Sequence, residues 1–323
     1  MILVTGGAGY IGSHYVLYER ARGSEVVVLD NMVYGHPEAV LDAPLVVGEL
    51  GDRATLDRVF TEYQVDAVVH FAAFAYVGES VTKPEKYYHN NVVATLGLLD
   101  AMRDHGIRHF IFSSSCATYG NPQYVPMDEQ HPQDPINPYG ESKFICEKIM
   151  KAYDRAHGLR FAALRYFNAA GCDPEGRIGE SHDPETHLIP LILQAAQGKR
   201  DAITVFGTDY DTPDGTCIRD YIHVLDLAQA HSLALERLRG GGESGFFNLG
   251  TETGHSVREV IRVCEEVSGR PVPVQEGPRR EGDPPRLVAS AAKAREVLGW
   301  RPQYLDLRET IATAWKWEES RRY

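Results

Sequence analysis

Near the start of the chain the strand-forming residues Leu3-Val4-Thr5 break into Gly6-Gly7-Ala8-Gly9-Tyr10-Ile11-Gly12, with glycines three apart at positions 6, 9 and 12. This succession reads as a strand, a tight turn and a helix start. Glycine lets backbone N–H groups approach a pyrophosphate with no Cβ in the way, and the positive end of the following helix stabilises the phosphate charge. The ligand implied is a dinucleotide. A plain β-turn before a buried helix also uses glycines, so the neighbourhood decides. An amphipathic stretch runs on to Arg22-Gly23, and Glu25-Val26-Val27-Val28-Leu29 then forms an apolar strand ending on Asp30, 18 positions after Gly12. A carboxylate there accepts hydrogen bonds from the adenosine ribose. It repels a 2′-phosphate, and no Lys or Arg follows in Asn31-Met32-Val33-Tyr34-Gly35, so NAD is expected rather than NADP.

Further apolar runs, Leu45 to Val47, Ala67 to Phe71, Phe110 to Phe112 and Phe161 to Leu164, alternate with helical segments. Strands this apolar are covered on both faces. The pattern predicts an α/β fold built on a doubly wound parallel sheet of the Rossmann type, with ligands at the carboxyl ends of its strands. Beyond Asn168 the alternation gives way to Gly-, Pro- and Asp-rich segments with helix-like stretches near Ile189 to Ala196, Val224 to Arg237, Val257 to Val267 and Leu307 to Glu318. The expected organisation is a dinucleotide-binding region over 1–168 and a smaller mixed α/β substrate region over 169–323. A late strand at Phe246 to Gly250 is expected to join the first sheet.

With 33 basic against 45 acidic residues the net charge is −12, which disfavours nucleic acid and anionic membranes as partners. An anionic ligand must then find local positive charge. The five cysteines are scattered and form no C-x-x-C, so they read as reduced thiols of a cytoplasmic protein, and the chain shows no export signal or membrane helix. The 13 histidines include no H-E-x-x-H or comparable pair, so no metal is expected. Asp209-Tyr210-Asp211-Thr212-Pro213-Asp214-Gly215 has the outline of a calcium loop, but Pro213 occupies a ligand position and no glutamate closes it, so a solvated turn is expected.

The strand at Phe110 runs into Ser113-Ser114-Ser115, and a Pro-rich loop later delivers Asn137-Pro138-Tyr139-Gly140-Glu141-Ser142-Lys143. Asn137 suits a helix cap and Pro138 its first position, which sets Tyr139 and Lys143 four apart on one face. A free phenol titrates near pH 10, and an adjacent ammonium lowers that value, so the pair is suited to proton transfer with a strand-end serine completing a relay. Taken alone, Tyr139 and Lys143 equally describe a half-buried tyrosine and a solvated lysine. Their order behind the glycine turn, Asp30 and the serines favours the catalytic reading.

At this point the chain resembles the extended short-chain dehydrogenase/reductase family, in its nucleotide-sugar epimerase branch. The resemblance rests on Gly6 to His14, His70-Phe71-Ala72-Ala73, Val77 to Ser80, Tyr87 to Val92, Asn137 to Lys143, Leu164 to Gly171, Arg219-Asp220-Tyr221-Ile222-His223-Val224 and Arg279-Arg280-Glu281-Gly282-Asp283. It implies reversible C4 epimerisation of a UDP-hexose, UDP-glucose and UDP-galactose in the simplest case, through a 4-keto intermediate and with tightly held NAD. Ser115, Tyr139 and Lys143 are then the reacting centre. Gly6, Gly9, Tyr10, Ile11, Gly12, Asp30, Asn31, Glu49, Leu50, Phe71, Ala72, Asn90, Ser113, Tyr166 and Phe167 surround the cofactor together with Tyr139 and Lys143. On the substrate side the resemblance implies Ser115, Asn168, His187 and Leu188, with Thr204, Val205 and Phe206 edging the uracil. It further assigns Arg219 and Arg280 to the diphosphate, Asp283 to the uridine ribose and Leu287 to the sugar pocket wall. Guanidinium matches phosphate oxygens bidentately, which supplies the positive charge this acidic chain needs.

Three positions depart from the family pattern. Glu49 stands for an aspartate near the adenine, Ala75 for a lysine near the cofactor phosphates, and Leu287 lies between the tyrosine and the smaller residues found at that wall. A 4-epimerase for an N-acetylhexosamine, pentose or uronate therefore stays an alternative, as does a non-catalytic NAD-binding regulator. Dehydration and decarboxylation call for acidic residues where Cys116 and Ala117 stand. Finally, Val92 to Met102 and Phe144 to Tyr153 carry apolar residues at helical spacing, and the resemblance pairs these helices with their copies in a homodimer.

Overall fold

The computed structural model of the chain describes residues 1–280 and 282–323. Its first half alternates strands and helices: β1 (Ile2–Thr5), α1 (Tyr10–Ala21), β2 (Val26–Asp30), β3 (Leu45–Val47), α2 (Arg53–Glu62), β4 (Ala67–His70), α3 (Val77–Thr82), α4 (Pro84–Tyr87), α5 (Ala94–Asp104), β5 (His109–Ser115), α6 (Pro138–His157) and β6 (Arg160–Tyr166). The second half carries β7 (Asn168–Ala170), α7 (Leu188–Ala196), β8 (Ile203–Phe206), β9 (Ile218–His223), α8 (Val224–Arg239), β10 (Gly245–Leu249), β11 (Gly254–Ser256), α9 (Val257–Ser268), β12 (Val274–Gly277), β13 (Arg286–Leu287), α10 (Ala292–Val297) and α11 (Leu307–Ser320).

Seven strands form one parallel sheet in the order β3-β2-β1-β4-β5-β6-β10. The expected doubly wound α/β class is therefore the observed one. Alternate side chains serve opposite faces. Val4, Val28, Val69 and Ile111 pack with Val16, Leu227 and Leu235 of α1 and α8, while Leu3, Val27, Val68 and Phe110 pack with Leu56, Leu98, Met102 and Met150 of α2, α5 and α6. Strand order reverses between β1 and β4, and the crevice at that switch point opens at the carboxyl ends of the strands.

A smaller four-stranded sheet centres on β9, which pairs with β7, β11 and β13, and β8 pairs with β12. Helices α7, α9 and α11 build its core around Ile192, Val260, Ile311 and Trp317. The sequence placed the Val224 helix in the second region; instead α8 lies against α1 and covers the large sheet, because its buried stripe of Leu227, Ala230, Ala234 and Leu235 matches that face.

One buried polar cluster fixes α6 to the sheet. Arg165 of β6 donates to both Glu147 carboxylate oxygens, at 2.8 and 2.6 Å, and to Tyr119 Oη at 2.9 Å. Ser114 and Gln133 donate to the same carboxylate at 2.7 and 2.9 Å, and Tyr119 donates to Asn248 of β10 at 2.6 Å. Arg165 and Glu147 side chains are 3% and 2% exposed, so neither charge has a solvent alternative. Arg165→Met should cost about 3–5 kcal/mol, because it strands a buried carboxylate, whereas Arg165→Met with Glu147→Leu should recover much of that loss. Urea unfolding of the two variants checks this; equal losses would show that charge pairing is not the reason.

Candidate active site

Helix α1 begins on Gly9 with no side-chain cap, so its first N–H groups carry no side-chain acceptor. Gly6 sits at φ +73°, and a Cβ there would lie 2.5 Å from the Ala72 nitrogen; at Gly12 it would lie 2.2 Å from the Gly6 carbonyl oxygen. The turn thus folds tightly against the end of β4 and leaves a helix N-terminus facing the switch point, which suits a pyrophosphate. Phe71 and Ala72 follow β4, and their N–H groups donate to the Thr5 carbonyl at 2.8 and 3.0 Å.

Asp30 ends β2 and is buried. Its carboxylate accepts from Ala8 N at 3.0 Å and Met32 N at 2.9 Å, and burial raises its pKa. Asn31 donates to Glu49 at 3.2 Å, so these two form one unit beside the β2 end. Leu50 instead packs its side chain into the core below the sheet. Tyr10 turns its hydroxyl to the Gly171 carbonyl at 2.5 Å, tying α1 to the second region. Ile11 is partly buried against the α1 face of the core. Asn90 donates to Asn91 at 2.9 Å, and Asn91 in turn holds Phe74 N at 2.9 Å.

Asn137 caps α6 through Gly140 N at 2.9 Å, with Pro138 at its first position. This cap places Tyr139 in the first turn and Lys143 one turn further on. Lys143 Nζ donates to the Ser113 carbonyl at 2.8 Å, and Ser113 hydrogen-bonds the Tyr166 hydroxyl. Serine 115 stands at the end of β5 directly beside Tyr166. Burial pushes the Tyr139 phenol up to about 12, with the Ser115 hydroxyl hydrogen-bonded to it working the other way; burial also pushes Lys143 down to about 8. The expectation that the Lys143 ammonium lowers the phenol is not met by the protein groups alone. Nζ lies 6.0 Å from the centre of the Tyr139 ring, and desolvation outweighs so distant a charge.

Across the crevice, Arg219 is not a free cation. It hydrogen-bonds Asp283 and donates to the carbonyls of Ile218 and Pro284 at 2.8 and 3.0 Å. Arg280 lies 4.0 Å over the Phe206 ring, while Arg279 pairs with Asp209 at 2.7 Å. Together with Asp283, Tyr210 and Asn121 the two arginines line a hollow of about 410 Å³. Glu281 lies outside the described residues. Along β8, Thr204 and Phe206 face outward, but the Val205 side chain is buried with Ile203 in the second core, so only its main chain can edge a ligand. Phe167 and the partly buried Leu287 pack with Tyr119 and Met127. Asn168 donates to the Asp220 carbonyl at 3.3 Å. His187 occupies the N-cap position of α7, without a side-chain capping hydrogen bond, and Leu188 is the helix's first residue.

Two groups of residues escaped the sequence reading. Glu147 follows Lys143 by one helical turn, a spacing that points to a shared face. Glu180, His182 and Glu185 gather around His187, which the resemblance had already placed on the substrate side, in the loop before α7 without forming a known motif. Burial opposes charge on His182 and His187, but Glu180 and Glu185 outweigh it and hold the two imidazoles up at about 9 and about 10.

Residues 2–250 match the model of the NAD dependent epimerase/dehydratase family. The chain belongs to this family. It is 56% identical over 316 residues to a UDP-glucose 4-epimerase of Rhizobium leguminosarum bv. trifolii, covering 98% of this chain and 96% of that one. Among solved structures, the family member superposes on UDP-glucose 4-epimerase of Brucella ovis in complex with NAD at a TM-score of 0.96, with 52% identity and 97% of each chain covered. It also superposes on a Stenotrophomonas maltophila UDP-glucose 4-epimerase with bound NAD and formylated UDP-arabinopyranose, at TM-score 0.96, 39% identity and 99% and 98% coverage.

Proposed function

We propose that this chain is an NAD-dependent UDP-glucose 4-epimerase, interconverting UDP-glucose and UDP-galactose. The observation that carries the reading is the placement of Tyr139 and Lys143 on the first turns of α6, beside Ser115 at the carboxyl end of β5, in a chain more than half identical to such enzymes. NAD would be held on the Gly6–Gly12 turn and, when bound, would supply the hydride acceptor and donor for C4. Asp30 receives the adenosine ribose. Tyr139 acts as the phenolate, a form that the positive charges of Lys143 and of a bound nicotinamide would favour against burial; it takes the O4 proton with Ser115 as relay and gives it back once the 4-keto sugar has turned over. Lys143, fixed by the Ser113 carbonyl, holds its charge near the phenol and orients the ribose beside it.

Arg219 and Arg280 anchor the diphosphate while the sugar rotates, Asp283 meets the uridine ribose, and Thr204 and Phe206 flank the uracil. The Arg280 guanidinium lies over Phe206 and keeps its N–H groups available for phosphate oxygens. Dehydration has no chemistry to draw on here. Ala117 offers no proton, and burial pushes the Cys116 thiol up to about 12. A cytoplasmic location is supported by five cysteines without a disulfide, and among the described residues no helix is long and apolar enough to cross a membrane.

The purified protein should convert UDP-galactose to UDP-glucose with no NAD added, and Tyr139→Phe should retain NAD while losing about 10²- to 10⁴-fold in turnover. Near-normal turnover by Tyr139→Phe would remove the tyrosine from proton transfer; inactive wild-type protein carrying NAD would favour a regulator. Leucine 287 leaves more room than tyrosine and less than serine. UDP-galactose should therefore be preferred over UDP-N-acetylgalactosamine by about ten- to two-hundredfold in kcat/KM, with Leu287→Ser narrowing the gap. An unchanged ratio would show that the limiting wall lies elsewhere.

The chain is further proposed to form a homodimer through α5 and α6. Leu98, Leu99, Met102, Cys146 and Met150 cover the sheet, yet Val93 is 57% and Leu96 37% exposed on the same helical segment. Sedimentation at micromolar concentration should give a dimer, and Leu96→Lys should weaken it; a wild-type monomer would reject the pairing.

A further inference from the structure

We propose that Glu180, His182, Glu185 and the half-exposed His187, which the resemblance assigns to the substrate side, form a site for one divalent cation of the zinc type, apart from Ser115, Tyr139 and Lys143. The four residues sit on the loop that enters α7, and each offers one donor atom, all within 4.8 Å of one another. Glu180 and Glu185 side chains are only 6% exposed, and two carboxylates drawn together out of water call for positive charge beside them, which a divalent cation can supply in place of two protonated imidazoles. Pairing with the histidines is incomplete. His182 Nδ1 stands 3.4 Å from Glu180 Oε1 and 3.4 Å from Glu185 Oε2, beyond the roughly 2.7–2.9 Å of a charge-assisted hydrogen bond. Among the described residues, His182 Nδ1 has no hydrogen-bond partner, and Glu180 Oε1 has only the ion-pair contact of His187 Nδ1 at 2.9 Å, without hydrogen-bond geometry.

Those separations suit a metal better. Bonds of about 2.0–2.2 Å from zinc to nitrogen and oxygen place tetrahedral ligands about 3.3–3.6 Å apart. His182 already stands at that distance from both carboxylates. The contact of His187 Nδ1 with Glu180 Oε1, 2.9 Å, reaches it by opening less than 1 Å; its 2.8 Å contact is with the other Glu185 oxygen, Oε1, which also accepts from the Thr186 and His187 amides, so Oε2 is the Glu185 donor to the ion. Two imidazoles among the four donors favour a borderline first-row ion over calcium or magnesium, which take oxygen ligands. The ring of His182 packs edge-on against Tyr10 at 6.2 Å and Tyr76 at 6.3 Å, so a cation here would brace the loop against the start of α1. The carboxylate pair and the divalent charge balance with both imidazoles neutral.

The full-length protein, purified without a metal-affinity tag and stripped with a chelator, is titrated with Zn²⁺ and with Mg²⁺ as a control. About one equivalent of Zn²⁺ should bind at micromolar concentration or below and raise the Tm, while Mg²⁺ does neither. Glu180→Gln and His182→Gln should each weaken Zn²⁺ binding at least tenfold, since loss of outer partners alone costs about 10–100-fold. Should either variant fail to fold, Co²⁺ added to the wild-type protein decides the matter: a four-coordinate visible spectrum supports the site and a six-coordinate one rejects it. No saturable Zn²⁺ binding below millimolar concentration, equal binding in folded variants, or imidazole NMR signals showing both histidines still protonated with excess Zn²⁺ would overturn the proposal and leave an ion-pair cluster.

Discussion

The inner strands β1, β2, β4, β5 and β6 of the large sheet are covered on both faces, and this forces their chemistry to the carboxyl edge. Side chains within the strands are committed to packing, so only residues at strand ends and in the following turns are free to meet a ligand. Gly6 after β1, Asp30 closing β2, Phe71 after β4, Ser115 ending β5 and Tyr166 ending β6 therefore lie along one edge. Helix α6 adds Tyr139 and Lys143 to that edge because its cap at Asn137 starts it there. The Arg165–Glu147 pair holds the helix against β6 one turn below Lys143. Position along the crevice is in this sense a result of burial elsewhere.

The large sheet was legible because its signal is redundant. β2, β4 and β5 each read as an unbroken apolar run, and the helices between them announce parallel crossovers. The smaller sheets carried no such signal: β7 and β11 have three residues and β13 two, too few to show a period. Their existence depends on β9, whose pairing partners lie up to 68 residues away in sequence. The placement of α8 was misjudged for a related reason, since a buried stripe reveals that a helix packs but not against which sheet.

At the candidate site, residue types were legible in the sequence, but pairing and titration depend on the assembled fold. Arg219 was assigned to the diphosphate, and its pairing with Asp283, some sixty positions later, is visible only in the fold. Val205 read as a uracil contact by position, yet the alternation of β8 turns its side chain inward. The phenol of Tyr139 was expected to be lowered by Lys143, and instead desolvation governs it. Glu180, His182, Glu185 and His187 have no recognisable spacing, because an irregular loop rather than a helix face gathers them.

The return of the chain through α8 and β10 has a consequence for how the molecule is made. When the ribosome has released only the first 168 residues, β6 presents an open edge and the apolar face of α1 is uncovered. Both stay so until residues 224–249 emerge. The nascent nucleotide-binding half thus carries an unpaired strand and a bare helix face through the synthesis of some eighty further residues, a vulnerable interval for aggregation and an opening for chaperones. Its stability is borrowed from sequence that belongs, by order along the chain, to the other half.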